Sequence, residues 1–492
     1  MLFTSFSFFV FFAIILAFYF AIPHQYQWAF LLAASYFFYG YANIVYLPLL
    51  ILPTFIVYGI AISISTAGIT PTKKRLLLIA GLTVTLSGLI AFKYLPFNLL
   101  LPIGISFYTF KMISYLIDVY RDNLKAETHA GYFALYVSFF PQILAGPIDR
   151  AIHFIPELKK KVSFDYSRIM DGFKLMTWGF FKKLVIADRL SPVVDNVFNN
   201  VYAHKGPAFI VATFFYSIQV YCDFSAYSDM AIGVSKILGF KSMDNFNSPY
   251  FSTNITKFWN KWHISLSTWL RDYLFLPISY KVMRWIKDGR FLNIKVETWG
   301  YVTGISITMF LGGLWHGAKW PMVLWGTLHG LYLAASYLTK KLRKRWVKQT
   351  GLKQYPTFHR VVKITLTFTM VSFAWIFFRA NTIREAFYIV SHLHTGTLKY
   401  CGYMLGNLIF NLDLLPLRSL LESIGVKPYD WFTLTAAIAA LAWVDVAHQD
   451  SNMWEKLKAR PVWVRLVAYY GLIMSILLFS VLDGGQFIYF KF

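Results

Sequence analysis

The sequence predicts an all-α fold, a polytopic bundle of transmembrane helices, and three observations carry that expectation. Hydrophobic residues fill 57% of the 492 positions and charged residues only 14%, where a water-soluble chain of this size carries roughly a quarter of its residues charged. No Lys, Arg, Asp or Glu precedes Lys73, and a water-facing fold does not leave so long a stretch uncharged. The apolar residues also gather into runs approaching the roughly 20 residues that cross a hydrocarbon layer.

Taken in order, the runs at 2–22, 27–42, 45–66, 76–93, 99–117, 207–222, 299–315, 320–338, 361–378, 431–447 and 463–482 are candidate spans. They make about eleven crossings, or about twelve if 403–425 is added. The first run has no positively charged leader and another apolar run follows at once, so it reads as a first span rather than a cleaved signal. Residues 133–147 are apolar but short and hold Pro141, Gly146 and Pro147. That composition predicts a re-entrant or interrupted element, tolerated at membrane depth only where protein or a water-filled cavity surrounds it. Between about 150 and 300 the chain mixes aromatic and basic residues without clean runs, as in 173–189 and 253–290. Such helices lie along an interface or plug a bundle, with Lys and Arg reaching for the headgroups. No repeat or linker divides the chain, so a single integral membrane domain over 1–492 is the simplest expectation. Within it, N-terminal spans occupy 1–150, a core 151–340 and further spans 341–492.

Basic residues number 47 and acidic residues 23, a net charge of +24. The cations cluster in short loops, at Lys73, Lys74 and Arg75, at Lys159, Lys160 and Lys161, and from Lys340 to Arg345. Loops of that kind stay on the cytoplasmic side. The loop at 67–75 then places the N-terminus outside, and the basic stretch 456–465 before the last run places the C-terminus outside as well. No recognition motif accompanies the charge, which argues against a nucleic-acid partner. With only Cys222 and Cys401, neither a disulfide framework nor a thiolate metal site is supported. His392 and His394 lack a third ligand at a convincing spacing, so no metal is expected.

Polar groups inside apolar helices are costly unless paired or used, and three constellations stand out. In 309–320, MFLGGLWHGAKW, His316 ends an apolar span among Gly312, Gly313, Gly317 and Trp315. Glycine lets another chain or a ligand approach the backbone closely. An imidazole titrating near neutrality can take a proton from an attacking hydroxyl and return it to a leaving thiolate. A His merely hydrogen-bonded at a helix end is the ordinary alternative. His329, thirteen residues on, is a second candidate for the same bundle. In 257–273, KFWNKWHISLSTWLRDY, a continuous helix would put Trp259, His263, Leu266 and Leu270 on one face, with Ser267 and Arg271 beside them. Lys257, Lys261 and Arg271 would meet the phosphates of a nucleotide-bearing donor. An amphipathic interfacial helix with a tryptophan belt explains the pattern equally well. In 217–230, SIQVYCDFSAYSDM, Asp223 and Asp229 either orient an imidazole or form structural ion pairs.

At these residues the sequence resembles the membrane-bound O-acyltransferase superfamily, and most of all its bacterial alginate O-acetyltransferase branch. The resemblance covers nearly the whole chain. It rests on 101–110 (LPIGISFYTF) with 114–121 (SYLIDVYR), 139–148 (FFPQILAGPI), 223–229 (DFSAYSD), 262–267 (WHISLS) and 313–318 (GLWHGA), in that order. It implies a thioester donor reached from the cytoplasm, acetyl-CoA or another acyl thioester, with no tightly bound cofactor. It also implies a tunnel through the membrane core and a location in the bacterial cytoplasmic (inner) membrane. The family's catalytic histidine maps onto His316 and its second histidine onto His263. Trp259, Lys261, Trp262, Arg271, Asp223 and Trp315 are then candidates for holding the donor or substrate. Partners implied are membrane lipids, an extracytoplasmic acetyltransferase protein and a polysaccharide acceptor such as alginate or another cell-surface polymer. A sister branch handles D-alanine for teichoic acids. The extended C-terminal portion, about 400–492 and ending FIYFKF, fits the acetyltransferase branch better. A transporter or flippase of a polymer or lipid-linked precursor would share the polytopic form but would not need His316 among glycines, and a non-catalytic scaffold would survive loss of both histidines.

Overall fold

The structure, a computed structural model, describes all of the chain except residues 42, 95–101, 287–288, 412–413, 451–452, 482–484, 486 and 489–492. The ends of the 27–42 and 463–482 runs, the start of the 99–117 run, Leu101 and most of the closing FIYFKF lie outside the described residues. Among those described, helix dominates, and β-structure is one antiparallel pairing of Arg290–Phe291 with Ile294–Lys295. The chain packs as two compact units, Met1–Phe180 with Ala226–Asn245, and Phe181–Ser225 with Phe246–Ile488.

The first unit begins with α1 (Phe6–Tyr19), α2 (His24–Gly40), α3 (Tyr46–Ile64) and α4 (Pro71–Tyr94), and continues with α5 (Ile105–Tyr120), α6 (Ala130–Ser138), α7 (Ala151–Lys159) and α8 (Tyr166–Phe180). The Ser5 hydroxyl accepts the Phe8 N–H and starts α1. Phe8, Phe11, Phe12, Ile15 and Tyr19 form its buried stripe, while Phe6, Val10, Ile14 and Phe18 on the other side are exposed and equally apolar. A helix apolar on every face belongs in hydrocarbon. After α6 the chain abandons helix through residues 139–149 yet stays buried, as an interrupted element should. Protein groups replace the missing ladder there. The Lys111 ammonium donates to the Tyr136 carbonyl at 3.0 Å and to Gln142 Oε1 at 2.8 Å. Gln142 Nε2 in turn donates to Asp149 at 2.6 Å and to Ser242 at 2.8 Å. Gly104, at φ 84°, lies so close to this segment that a Cβ would stand 2.2 Å from the Ile143 carbonyl oxygen.

The second unit opens with a π-helical turn, Phe181–Ala187, followed by α9 (Asp188–Asn199) and by α10 (Pro207–Ile237), whose residues from Ala226 onward belong to the first unit. Next come α11 (Ile255–Trp259), α12 (Ile264–Leu270), a second π-helical turn Arg271–Phe275, α13 (Leu276–Trp285), α14 (Val296–His316), α15 (Trp320–Leu338) and α16 (Lys340–Gln349). The chain then runs through α17 (Pro356–Arg379), α18 (Ile383–His392), α19 (Thr397–Gly406), α20 (Leu415–Ser423), α21 (Pro428–Asp450), α22 (Met453–Lys458) and α23 (Val462–Phe479). Among the described residues six helices are long and apolar enough to cross a membrane: α3, α4, α10, α17, the Tyr429–His448 part of α21, and α23. Together with the helices at the other apolar runs they make a multi-pass, all-helical membrane protein. The runs at 299–315 and 320–338, expected as spans, form the helices α14 and α15, which are not among those six and which pack along each other as a helical hairpin.

Two expectations are corrected here. Residues 403–425 do not form one span, because α19 gives way to a π-helical turn at Asn407–Asn411 and a new helix starts at Leu415. Nor is 257–273 one helix. It breaks after Trp259, and His263 adopts φ 42° and ψ 56° before α12 begins. A left-handed residue cannot continue a right-handed helix, so the single face proposed for Trp259, His263, Leu266 and Leu270 does not exist.

Candidate active site

His316 is the last residue of α14, and glycine fixes where it stands. A Cβ on Gly313 would lie 2.5 Å from the Met322 carbonyl oxygen and 3.0 Å from the Gly326 Cα. A Cβ on Gly326 would lie 2.3 Å from the Met309 carbonyl oxygen. The α14 and α15 backbones therefore cross in contact at these two glycines, as small residues allow. Gly312 serves no such purpose, since its nearest neighbour would be an ordinary 3.7 Å away. The close approach anticipated for the glycines beside His316 is thus made by the α15 backbone. It brings Trp325 to the imidazole.

Aromatic rings enclose that imidazole. Trp315 lies 4.4 Å from the His316 ring, Trp325 5.0 Å and Phe378 of α17 5.1 Å, centroid to centroid. Trp325 also touches the His329 ring at 5.0 Å and stacks on Trp375 at 5.6 Å. The Trp259 indole N–H donates to His329 Nδ1 at 3.3 Å. His329 is fully buried, and His316 retains 4% exposure.

His263 occupies neighbouring ground. Its ring packs on Phe224 at 4.6 Å and Phe246 at 6.5 Å. Trp262, beside it in sequence, touches Trp375 at 5.1 Å and so joins the same aromatic body as Trp325 and His316. His263 lies in the turn between α11 and α12, outside the spanning helices, and burial pushes its pKa down to about 3. It is a neutral imidazole at any physiological pH.

A profile described as the membrane-bound O-acyltransferase family matches residues 122–381. A probable alginate O-acetylase of Pseudomonas putida is 32% identical across 98% of each chain. One from Azotobacter vinelandii is 36% identical over 77% of this chain and 74% of its own. A peptidoglycan O-acetyltransferase of Helicobacter pylori is 33% identical over 72% of this chain and 71% of its own. The chain belongs to the membrane-bound O-acyltransferase family. It is an acyltransferase, and His263, His316 and His329 all fall inside the matched span.

The remaining site candidates of this O-acyltransferase are placed unevenly. Trp259, Trp262 and Trp315 are buried within the aromatic body just described. Asp223 is buried beside the Lys183 ammonium, 2.8 Å away, and accepts the Ile488 N–H at 2.7 Å. Lys183 also meets Asp188 at 2.7 Å. Arg271 is exposed and paired with Asp272 at 2.8 Å. Lys261 is half-buried, and its pKa is lowered by burial first, then by the positive Lys257 and Arg360, against the opposing pull of Asp445. Lys257, Lys261 and Arg360 therefore form a cationic group.

Several residues here escaped the reading of motifs. Arg360 comes from the start of α17, far from 257–261 in sequence. Asp445, buried in α21, accepts the Tyr221 hydroxyl at 2.9 Å through one oxygen and 3.0 Å through the other. It is the only acid in 431–447, and an acid alone in an apolar run is itself a signal. Trp325 and Trp375 carry no local signal, because a tryptophan in an apolar run reads as ordinary packing.

Proposed function

We propose that this acyltransferase moves an acetyl group from a cytoplasmic thioester, acetyl-CoA or a similar donor, to a hydroxyl of an extracytoplasmic polysaccharide. It does so in the bacterial cytoplasmic membrane, with both termini on the outer side and an extracytoplasmic protein completing delivery to the polymer. The carrying observation is one imidazole, His316, seated by a glycine-to-glycine helix crossing inside an aromatic enclosure of Trp315, Trp325 and Phe378. Relatives named for alginate and for peptidoglycan support the class of acceptor. The basic α16, between α15 and α17, supports the orientation.

In this reading Lys257, Lys261 and Arg360 hold the donor's phosphates, with Trp259 and Trp262 along its thioester arm. The acceptor oxygen attacks the carbonyl carbon as its proton passes to His316. The carbonyl π pair moves to oxygen, then returns as the C–S bond breaks, and His316 delivers the proton to the departing sulfur. The products are an O-acetyl ester and a free thiol. His263, neutral throughout, positions the thioester. Base assistance of this kind is worth about 10²–10⁴-fold in rate.

The test is to incubate purified protein with acetyl-labelled acetyl-CoA and follow thiol release and label transfer. His316→Ala should abolish both while the protein stays inserted and monodisperse. Wild-type turnover in that variant would remove His316 from the reaction. A wild-type protein that leaves the thioester intact while moving a polymer across vesicles would make this a transporter instead.

A further inference from the structure

Buried N–H groups are almost always hydrogen-bonded, and leaving one unsatisfied costs about 1–3 kcal/mol. Two such groups lie on neighbouring rings, one of them beside His316. Indole can only donate, so the bond from Trp259 Nε1 to His329 Nδ1 fixes His329 as the neutral tautomer with its proton on Nε2. Among the described residues that Nε2 has no hydrogen-bond partner, and neither has Trp325 Nε1. Both side chains are at least nine-tenths buried. Their rings are 5.0 Å apart, and Trp325 is itself 5.0 Å from the His316 ring. Two uncharged donors of neighbouring rings, next to the base, are suited to one oxygen that carries little charge at rest and more in the transition state.

We propose that Trp325 Nε1–H and His329 Nε2–H together receive the carbonyl oxygen of the acyl thioester and hold the oxyanion that forms when the acceptor attacks, with Trp259 as the positioning residue that keeps the His329 proton on Nε2. This rests on the thioester chemistry proposed above. When the acceptor oxygen bonds to the carbonyl carbon and its proton goes to His316, the carbonyl π pair becomes a lone pair on the oxygen between the two donors. It re-forms the double bond as the C–S bond breaks, and the His316 proton goes to sulfur. Neither donor gives up its proton. Because both are neutral, the pair binds the resting thioester weakly and the oxyanion strongly, which is the differential that accelerates a reaction.

Acetyl-CoA is the probe. Trp325→Phe and His329→Leu each keep an apolar ring or side chain of similar reach and remove one donor, and each should lower kcat about 10²–10³-fold with little change in KM. His329→Gln restores an N–H and should recover at least about tenfold over His329→Leu. Trp259→Phe frees the tautomer and should cost less than either, about tenfold or below. A second readout does not need the variants to turn over. In the His316→Ala protein, the infrared stretch of bound acetyl-CoA carrying a carbonyl ¹³C should lie below that of the same thioester in an apolar solvent, and adding Trp325→Phe should move it back up. A stretch unchanged from the apolar solvent, or variants that raise KM while kcat holds, would overturn the proposal and leave the two groups serving a buried water only. If wild-type protein does not cleave acetyl-CoA at all, the thioester reading itself fails and the donor pair falls with it. If His316→Ala is dead and Trp325→Phe and His329→Leu are fully active, only the donor pair fails.

Discussion

Replacing Gly313 by alanine should damage the enzyme far more than the same change one residue earlier. An added Cβ at 313 meets the Met322 carbonyl oxygen at 2.5 Å, whereas ordinary Cβ contacts begin at 3.4 Å. The obstacle is backbone, so no side chain can swing aside, and α14 and α15 must part by about 1 Å, an overpacking that costs about 1–3 kcal/mol. His316 follows three residues later on one helix, and Trp325 immediately precedes Gly326 on the other. A misplacement of about 1 Å between catalytic groups is worth about 10²-fold in rate. At Gly312 the new methyl finds its nearest neighbour at 3.7 Å, and relief from glycine's conformational entropy should stabilise the helix by about 0.5–1 kcal/mol. The assay pairs thermal unfolding in detergent with thiol release from acetyl-CoA. Gly313→Ala should lose about 10²-fold in turnover and melt lower, with Gly312→Ala at wild-type rate and melting no lower than wild type. Equal behaviour of the two variants would refute the crossing as the device that places His316.

Other outcomes follow from single residues. The depressed pKa of His263, about 3 when folded against roughly 6.5 when unfolded, means its stabilising contribution is complete above about pH 6.5 and is lost as pH falls toward 3. The difference amounts to about 2 kcal/mol by pH 5, and His263→Gln should lack that part of the acid sensitivity in melting curves taken from pH 7 to 5. Lys183→Met strands two buried carboxylates, Asp188 and Asp223, and should destabilise by about 3–5 kcal/mol. Lys182→Met gives up a bond to Ser225 and a cation–π contact with Tyr221 and should cost less than Lys183→Met; equal melting points would contradict this assignment. Lys261→Glu should raise the KM for acetyl-CoA and its salt dependence while kcat stays near wild type, and an unchanged KM would remove the cationic group from donor binding.

What could be read from the sequence depended on how local its physical cause is. Spanning helices declare themselves through the chemistry of consecutive residues, and the 133–147 break through Pro141, Gly146 and Pro147 in an otherwise apolar stretch. His316 stood out because its surroundings, Gly313 and Trp315, adjoin it in the chain. The failure at 257–273 has the opposite origin. Nothing around Asn260 or Lys261 forbids helix, and the break shows itself only in the backbone of His263, which is held at φ 42° by packing on Phe224 and Phe246. The His329 bond to Trp259 joins residues 70 apart, and no periodicity within a helix reports such a meeting. Gly313 could be seen as room for something; that the something is Gly326 required the fold.

The attachment of Lys183 to the far end of the chain bears on biogenesis. Its ammonium donates at 3.0 Å to the Gly485 carbonyl, 302 residues later, and sits 4.4 Å over the Phe487 ring. During synthesis the lysine and its two aspartates are made long before Gly485 and Phe487, so the triad must wait, half-assembled, until those residues follow. A nascent chain released before residue 485 would lack the carbonyl and the ring that complete the cluster. A cluster begun at residue 183 is thus closed only by a residue made 302 positions later.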